Sequence, residues 1–348
     1  MRSDIQTIGA FVELGKQLRD FCEKWKAGSA GERPEFLHAL SLAKESNPWF
    51  VEANIVHALG QWGRALTRDA LGAWLSAYAM DRPGKPKTVG IIMAGNVPLV
   101  GFHDFLAVLL SGHRVLAKLS SQDRHLMPFL AQRLVQAEPA LGGRIAFVEG
   151  KMQGFDAVIA TGSNNTGRYF EYYFGQGPHI IRKNRNSVAI LDGSEDQGEL
   201  GALGDDIFRY FGLGCRNVSK LYVPRDYDFD VFFKGIFPYG EVVDHFKYAN
   251  NYDYNRAIFL MNTEVFLDNG FLLLRENPAF ASPISVLHYE FYDSIKTLRE
   301  ELKTAKGQLQ CIVSGSDFTG DVPFGRTQDP ALWDYADGVD TLEFLLGL

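Results

Sequence analysis

The sequence predicts an α/β protein built on two mostly parallel sheets, and three observations carry that prediction. First, from Thr88 onward short β-branched, apolar runs alternate with helical stretches, as in a parallel sheet covered on both faces. Second, polar or glycine-rich turns follow those runs, at 94–98, 120–123 and 162–167. Parallel sheets bind ligands at the carboxyl ends of their strands, so the three turns are expected along one crevice. Third, the alternation starts afresh at Ser187, and 348 residues suit two domains, or one large α/β unit with an insertion.

The elements follow in order. Residues 1–80 read as helical: Ile5, Ile8, Phe11, Val12, Leu14, Leu18 and Phe21 recur at helical spacing across 4–25. Asn47-Pro48 predicts an N-cap with proline at the first helical position, opening a helix through Val56 and Leu66. The stretch DRPGKP at 81–86 is a breaker-rich linker. Strands are then expected at 88–93, 113–119, 144–148 and 156–160, with helices at 103–110, at 127–136 and after the TGSNNTG turn. The second unit should hold a strand at 188–191, a helix over 199–211, a turn bearing Cys215, and a strand at 219–223. The aromatic-rich stretch 227–271 reads as helices with loops, 310–313 as a strand, and DGVD at 337–340 as the start of a last short helix. Domain boundaries are therefore expected at 1–186 (helical region plus nucleotide-binding domain), 187–325 (cysteine domain) and 326–348 (a tail packing back on the fold).

Composition narrows the partners. A net charge of -7 with 22% charged residues argues against a nucleic-acid face. Basic residues cluster only at Arg182, Lys183 and Arg185, a patch suited to one phosphate-bearing ligand. The three cysteines are widely spaced, which fits no disulfide framework or zinc pattern, and no other spacing suggests a metal. Acidic residues Asp4, Glu13 and Asp20 interrupt the opening stretch, and no run of about 18 apolar residues follows. A cytoplasmic protein without a signal peptide or membrane span is expected.

Several side chains then stand out as chemistry. Cys22 lies in an amphipathic helix and Cys311 in an apolar strand, both core positions. Cys215 sits in FGLGCRNVSKLYVP between glycines and Arg216, an adjacent cation that favours thiolate. From the residues alone it is either a small buried hydrophobe or a nucleophile. Asn96, in the turn AGNVP, either ties down its own backbone or offers an amide to a developing oxyanion. Gly162 and Ser163 end a strand before a helix, as a phosphate-binding turn does, although the G-x-G-x-x-G spacing is absent. Lys118, Ser120 and Ser121 close another strand with a cation and two hydroxyls. Of the histidines, His103 and His113 read as structural, and either His245 or His288 could exchange a proton with a substrate.

In order along the chain, these turns resemble the aldehyde dehydrogenase superfamily. The series is the Asn96-Val-Pro98 turn, the Leu116-Ala-Lys118 strand end, the Thr161-Gly-Ser163 turn and Gly214-Cys215. The blocks AGNVPLVGFHDFLAVLLSGHRVLAKLSSQD, GDDIFRYFGLGCRNVSKLYVP and YADGVDTLEFL are more closely similar to its acyl-CoA reductase branch, the LuxC-type fatty-acid reductases. The resemblance implies an aldehyde-dehydrogenase-like fold with a Rossmann-type cofactor domain and a second α/β catalytic domain. It implies Cys215 as nucleophile, Asn96 and the Cys215 backbone N–H as oxyanion donors, and Lys118, Ser120, Ser121, Gly162 and Ser163 around the cofactor.

Departures from the family pattern refine the expected activity. Arg182 stands where aldehyde-oxidising members carry the glutamate that activates water, so reduction of the acyl group is favoured over its hydrolysis. Arg182 and Arg216 are then candidates for touching substrate. The stretch PAFASP at 278–283 lacks the glutamate that anchors the nicotinamide ribose in the family. Ser121 replaces a glutamate that grips the adenosine ribose in NAD-preferring members, which favours NADPH over NADH. The expected function is reduction of an acyl thioester, carried on coenzyme A or a carrier protein, to a fatty aldehyde through an acyl-cysteine. A homo-oligomer and an acyl-transferring or aldehyde-consuming partner protein are implied as well. Alternatives are a short-chain acylating aldehyde dehydrogenase, a cysteine-relay acyltransferase, and an inactive acyl- or partner-binding subunit.

Overall fold

The computed structural model describes residues 2–80, 84–162, 164–315 and 321–348. The first half of the expected linker (81–83) and Ser163 lie outside the described residues. The chain forms two compact units, 1–183 with 331–348, and 184–330.

The first unit opens with four helices: α1 (Arg2–Lys26), α2 (Pro34–Ser46), α3 (Glu52–Ala65) and α4 (Arg68–Ser76). Phe11, Leu14, Leu18 and Phe21 form the buried stripe of α1 that the helical spacing predicts. Asn47-Pro48 departs from expectation, because α3 begins only at Glu52. Asn47 Oδ1 accepts the Trp49 N–H at 3.0 Å, and the Phe50 N–H donates to the Asn47 carbonyl at 2.8 Å. Proline at the second position of a β-turn satisfies the same local preference as proline at a helix start, and the buried Phe50 ring selects the turn.

The alternating part of this unit runs β1 (Thr88–Ile92), α5 (Phe102–Leu110), β2 (Arg114–Lys118), α6 (Leu126–Ala137), β3 (Ile145–Phe147), β4 (Ala157–Thr161), α7 (Asn164–Phe174) and β5 (His179–Arg182). The sheet order is β3-β2-β1-β4-β5, and every pairing is parallel. The chain winds outward from β1 in both directions, so β1 and β4 flank the point where strand order reverses. Helix α5 is buried from Phe102 to Leu110 apart from half-buried His103, and it forms the centre of this unit's core.

The second unit contains β6 (Asn186–Ile190), α8 (Gln197–Phe208), β7 (Val218–Pro224), α9 (Phe229–Ile236), α10 (Phe246–Met261), β8 (Leu267–Asp268), β9 (Leu273–Glu276), β10 (Val286–Tyr292), α11 (Ile295–Thr304) and β11 (Leu309–Ser314). Its sheet order is β11-β6-β7-β10-β9-β8, parallel throughout except for the β8–β9 pair. A capping box of Asp196 and Glu199 starts α8. The helix ends at Phe208 rather than 211, because Tyr210 (φ 55°) and Phe211 (φ 58°) turn left-handed ahead of Gly212 (φ 75°). Both aromatic side chains are buried, so packing holds a conformation that neither residue favours by itself.

The last helix, α12 (Thr341–Leu346), belongs to the first unit, where Leu342, Leu345 and Leu346 join the core around α5. Asp340 caps it, accepting the Glu343 N–H at 2.9 Å.

Candidate functional site

The candidate thiol is built from the C-terminal end of α8. After the left-handed turn the chain closes a β-turn in which the Asn217 N–H donates to the Gly214 carbonyl at 3.0 Å. Cys215 and Arg216 are its two central residues, so Cys215 sits at the tip and is exposed, whereas Cys22 and Cys311 are buried. Burial pushes the Cys22 thiol up to about 11, as expected of an inert core cysteine. The Cys215 carbonyl points inward and accepts from Ser187 Oγ at 2.9 Å. Arg216 extends away along the fold: its Nη1 lies 3.5 Å from Cys311 Sγ and 3.4 Å from the Thr327 carbonyl. The turn precedes β7, so the thiol lies at the amino end of its strand rather than at a carboxyl end.

Asp206 on α8 braces the same region. Its carboxylate accepts from Thr327 N–H (2.9 Å), Thr327 Oγ1 (2.7 Å) and Gly325 N–H (2.6 Å), fixing the 325–327 loop against the helix. Burial pushes its carboxyl up to about 6, and these three donors pull in the opposite direction.

In the first unit, the expected turns follow adjacent strands β2, β1 and β4 and therefore share one edge of the sheet. Two of them interlock. A side chain at Gly95 would meet Ser120 Oγ at 2.6 Å, so only glycine permits this approach. Asp123 Oδ2 accepts the Leu99 N–H at 2.8 Å, holding leucine at φ 63°, and Asn47 Nδ2 donates to the Gly95 carbonyl at 3.1 Å. Asn96 projects from this braced turn and is exposed, as is Ser121, while Lys118 and Ser120 are half-buried. At the end of β4, α7 crosses so closely that a Cβ on Gly162 would lie about 3 Å from Thr166 and Phe170. Sequence reasoning did not single out Asp123, although its place three residues after Ser120 in the same turn is the available signal.

The basic cluster does not form a phosphate patch. Arg182 is buried, paired with Asp104 on α5 and donating to Thr341 Oγ1 at 2.8 Å. Lys183 pairs with Glu171 at 2.8 Å, and Arg185 reaches the carbonyls of Lys306 and Leu309. Arg182, expected as a candidate for touching substrate, ends β5 with its guanidinium buried, and a buried guanidinium needs a carboxylate close by.

The histidines divide by their partners. His113 Nδ1 accepts the Lys87 N–H at 3.1 Å, which leaves Nε2 to donate to the Leu345 carbonyl at 2.9 Å. His103 bonds the Leu332 carbonyl through Nε2 at 2.9 Å. His288, one of the two proton-transfer candidates, is buried against the Ala279 carbonyl, and burial lowers its pKa. The other, His245, lies against the Phe211 ring at a tilt of 34°, with centroids 4.3 Å apart.

The 278–283 stretch is pinned to its sheet by three side chains. Lys220 Nζ donates to the Pro278 carbonyl and Ser219 Oγ to the Phe280 carbonyl, both at 2.7 Å, and His288 holds Ala279. Lys220 is fully buried, pairs with Glu290 and lies over the Tyr222 and Phe280 rings. Among the described residues no group of three or more His, Cys, Asp or Glu side chains is placed to hold a metal ion. No described helix is long and apolar enough to cross a membrane.

Residues 69–231 match the family model described as acyl-CoA reductase (LuxC). No curated protein gives a significant match to the sequence. Among solved structures, an indole-3-acetaldehyde dehydrogenase in complex with NAD+ is similar with TM-score 0.63 at 13% identity, covering 91% of this chain and 72% of that one. An NAD-dependent aldehyde dehydrogenase from Sinorhizobium meliloti follows with TM-score 0.62 at 14% identity, covering 95% and 72%. The NAD+ complex of an aldehyde dehydrogenase from Bacillus cereus gives 0.62 at 14% identity, covering 92% and 73%.

Identities this low establish the fold, which is that of the aldehyde dehydrogenases. Fold and family match together define an oxidoreductase working at the aldehyde level. More narrowly, the match over residues 69–231 is to the acyl-CoA reductase (LuxC) model, the branch that the motifs resemble.

Proposed function

We propose that the protein reduces an acyl thioester to an aldehyde through a covalent acyl-cysteine on Cys215, with NADPH as reductant. The observation that carries this reading is the exposed Cys215 thiol at the tip of a braced β-turn inside the acyl-CoA reductase segment. A thiolate there attacks the thioester carbonyl, and the carbon–sulfur bond to the departing thiol breaks, leaving the acyl group on Cys215. The Asn96 amide and the Cys215 N–H are the proposed donors to the oxyanion.

The residues present fit a nicotinamide dinucleotide. Lys118 ends β2 and Ser120 and Ser121 follow it in the turn, a cation with two hydroxyls, and Gly162 gives the tight strand-to-helix passage that a pyrophosphate approaches. Three of the structural neighbours are NAD+ complexes, which supports the cofactor class. Exposed Ser121 brings no negative charge toward a 2′-phosphate, which favours NADPH. When bound, the cofactor supplies the hydride that takes the acyl carbon to the aldehyde level. Cys215 sulfur then leaves that carbon and is reprotonated. Arg182 supplies no water-activating base, so the acyl group is held for reduction.

The test uses labelled acyl-CoA with wild-type and Cys215→Ala protein, and NADPH oxidation with donors of graded chain length. Wild type should take up label without cofactor and release aldehyde once NADPH is added, while the variant does neither. Labelling of Cys215→Ala at the wild-type level would overturn the assignment. Acyl exchange without NADPH oxidation would mark an acyltransferase instead.

A further inference from the structure

We propose that Asn217 and Ser187 are positioning residues that hold Cys215 in its reactive geometry, an inference that rests on the acyl-cysteine reading above. Asn217 is only 3% exposed, although it lies two residues from an exposed turn tip. It grips Gly214 twice: its N–H donates to the Gly214 carbonyl at 3.0 Å, and its Oδ1 accepts the Gly214 N–H at 2.8 Å. Its Nδ2 donates to the carbonyls of Asp206 (3.0 Å) and Arg209 (2.8 Å), with that of Ile207 at 3.5 Å. Those carbonyls belong to the end of α8, where intrahelical donors run out. One side chain therefore spans the left-handed stretch 210–212 and ties the turn beyond it to the helix before it.

Ser187 anchors the other side. It is fully buried on β6, donates to the Cys215 carbonyl at 2.9 Å, and accepts the Cys311 N–H of β11 at 3.2 Å. The turn is thus bolted to a helix through Gly214 and to the sheet through Cys215 itself. Without both ties the left-handed stretch is free to relax toward commoner backbone conformations, carrying the thiol with it. A nucleophile displaced by about 1 Å can lose on the order of a hundredfold in rate without losing substrate affinity.

Four proteins test this: wild type, Ser187→Ala, Asn217→Ala and Asn217→Asp, each checked for folding by circular dichroism. The aspartate variant keeps an acceptor for the Gly214 N–H and loses the donors to α8. Single-turnover acyl transfer from acyl-CoA and the pH profile of Cys215 alkylation by iodoacetamide are measured on each. We expect the maximal acyl-transfer rate to fall at least tenfold in Ser187→Ala and further in the Asn217 variants. The half-saturating acyl-CoA concentration should stay within twofold, and the alkylation profile should depart from that of wild type. Wild-type transfer rate and alkylation profile in Ser187→Ala, and in whichever Asn217 variants fold, would overturn the inference. If wild type takes up no acyl group, the proposed reaction fails, and the alkylation profiles still decide whether these residues position the thiol.

Discussion

At the residue scale, the proposed chemistry divides between groups that react and groups that hold them. Asn96 is exposed at the end of a turn that Gly95, Leu99, Asp123 and Asn47 brace from below. An oxyanion donor acts through placement, because it stabilises charge that exists only in the transition state. Asn96→Ala should therefore lower kcat by two to three decades, roughly 3–4 kcal/mol, with little change in the KM for acyl-CoA. Steady-state kinetics over a range of acyl-CoA concentrations would show this, and a loss confined to KM would remove Asn96 from the oxyanion role. Cys215 and Asn96 stand out in the sequence because each breaks a pattern around it, a cysteine between a glycine and an arginine and an amide in an apolar turn. Arg182 shows what local spacing hides: three basic residues clustered in sequence diverge at the end of a strand, and one of them meets a buried carboxylate 78 residues away.

At the element scale, what the sequence revealed was the strand–helix alternation, and what it hid were elements whose burial depends on distant partners. Strands β9 and β10 and helix α11 went unassigned, since polar residues such as His288 and Glu290 interrupt β10 and find their partners only across the folded sheet. The turn between β2 and α6 illustrates the energetics of such partners. Burial pushes the Asp123 carboxyl up to about 6, while an unfolded aspartate titrates near 3.9. Between those values the folded protein keeps a proton that the unfolded chain has lost. Stability from this group is therefore present below about pH 4 and lost as pH rises through 6, with a limiting slope of about 1.4 kcal/mol per pH unit. Asp206 behaves in the same direction and remains as a common background in both proteins compared here. Asp123→Asn does not titrate, so urea unfolding should show the variant gaining on wild type from pH 4 to 6.5 and keeping pace above. A constant difference across that range would mean that Asp123 is ionised throughout.

At the scale of the whole molecule, the chain returns from its second unit to complete its first. Residues 331–348 contribute Leu332, Leu342, Leu345 and Leu346 to the core around α5, all nearly inaccessible to water. The same segment supplies the Leu332 and Leu345 carbonyls to His103 and His113, and Thr341 to the buried Arg182–Asp104 pair. Tyr335 ties Trp74 and Tyr78 to it through hydroxyl bonds of 2.7 Å. Four buried leucines represent on the order of 6–12 kcal/mol of transfer free energy, which is comparable with the entire stability of a typical domain. Removing 331–348 also leaves apolar α5 facing water and two histidines without their carbonyl partners. The second unit's buried clusters draw on β6, β7, α10, β9, β10, α11 and β11, none of which the deletion touches. Hydrogen exchange on the truncated protein should accordingly show lost amide protection in β1, β2 and α5, with protection retained in β6 and β7. Leu345→Ala alone should cost about 2–5 kcal/mol, placing it between wild type and the truncation in denaturant midpoint. Retained protection of β1 and β2 in the truncated chain would mean that the first unit folds without its returning segment, and that α12 lies on a core already complete.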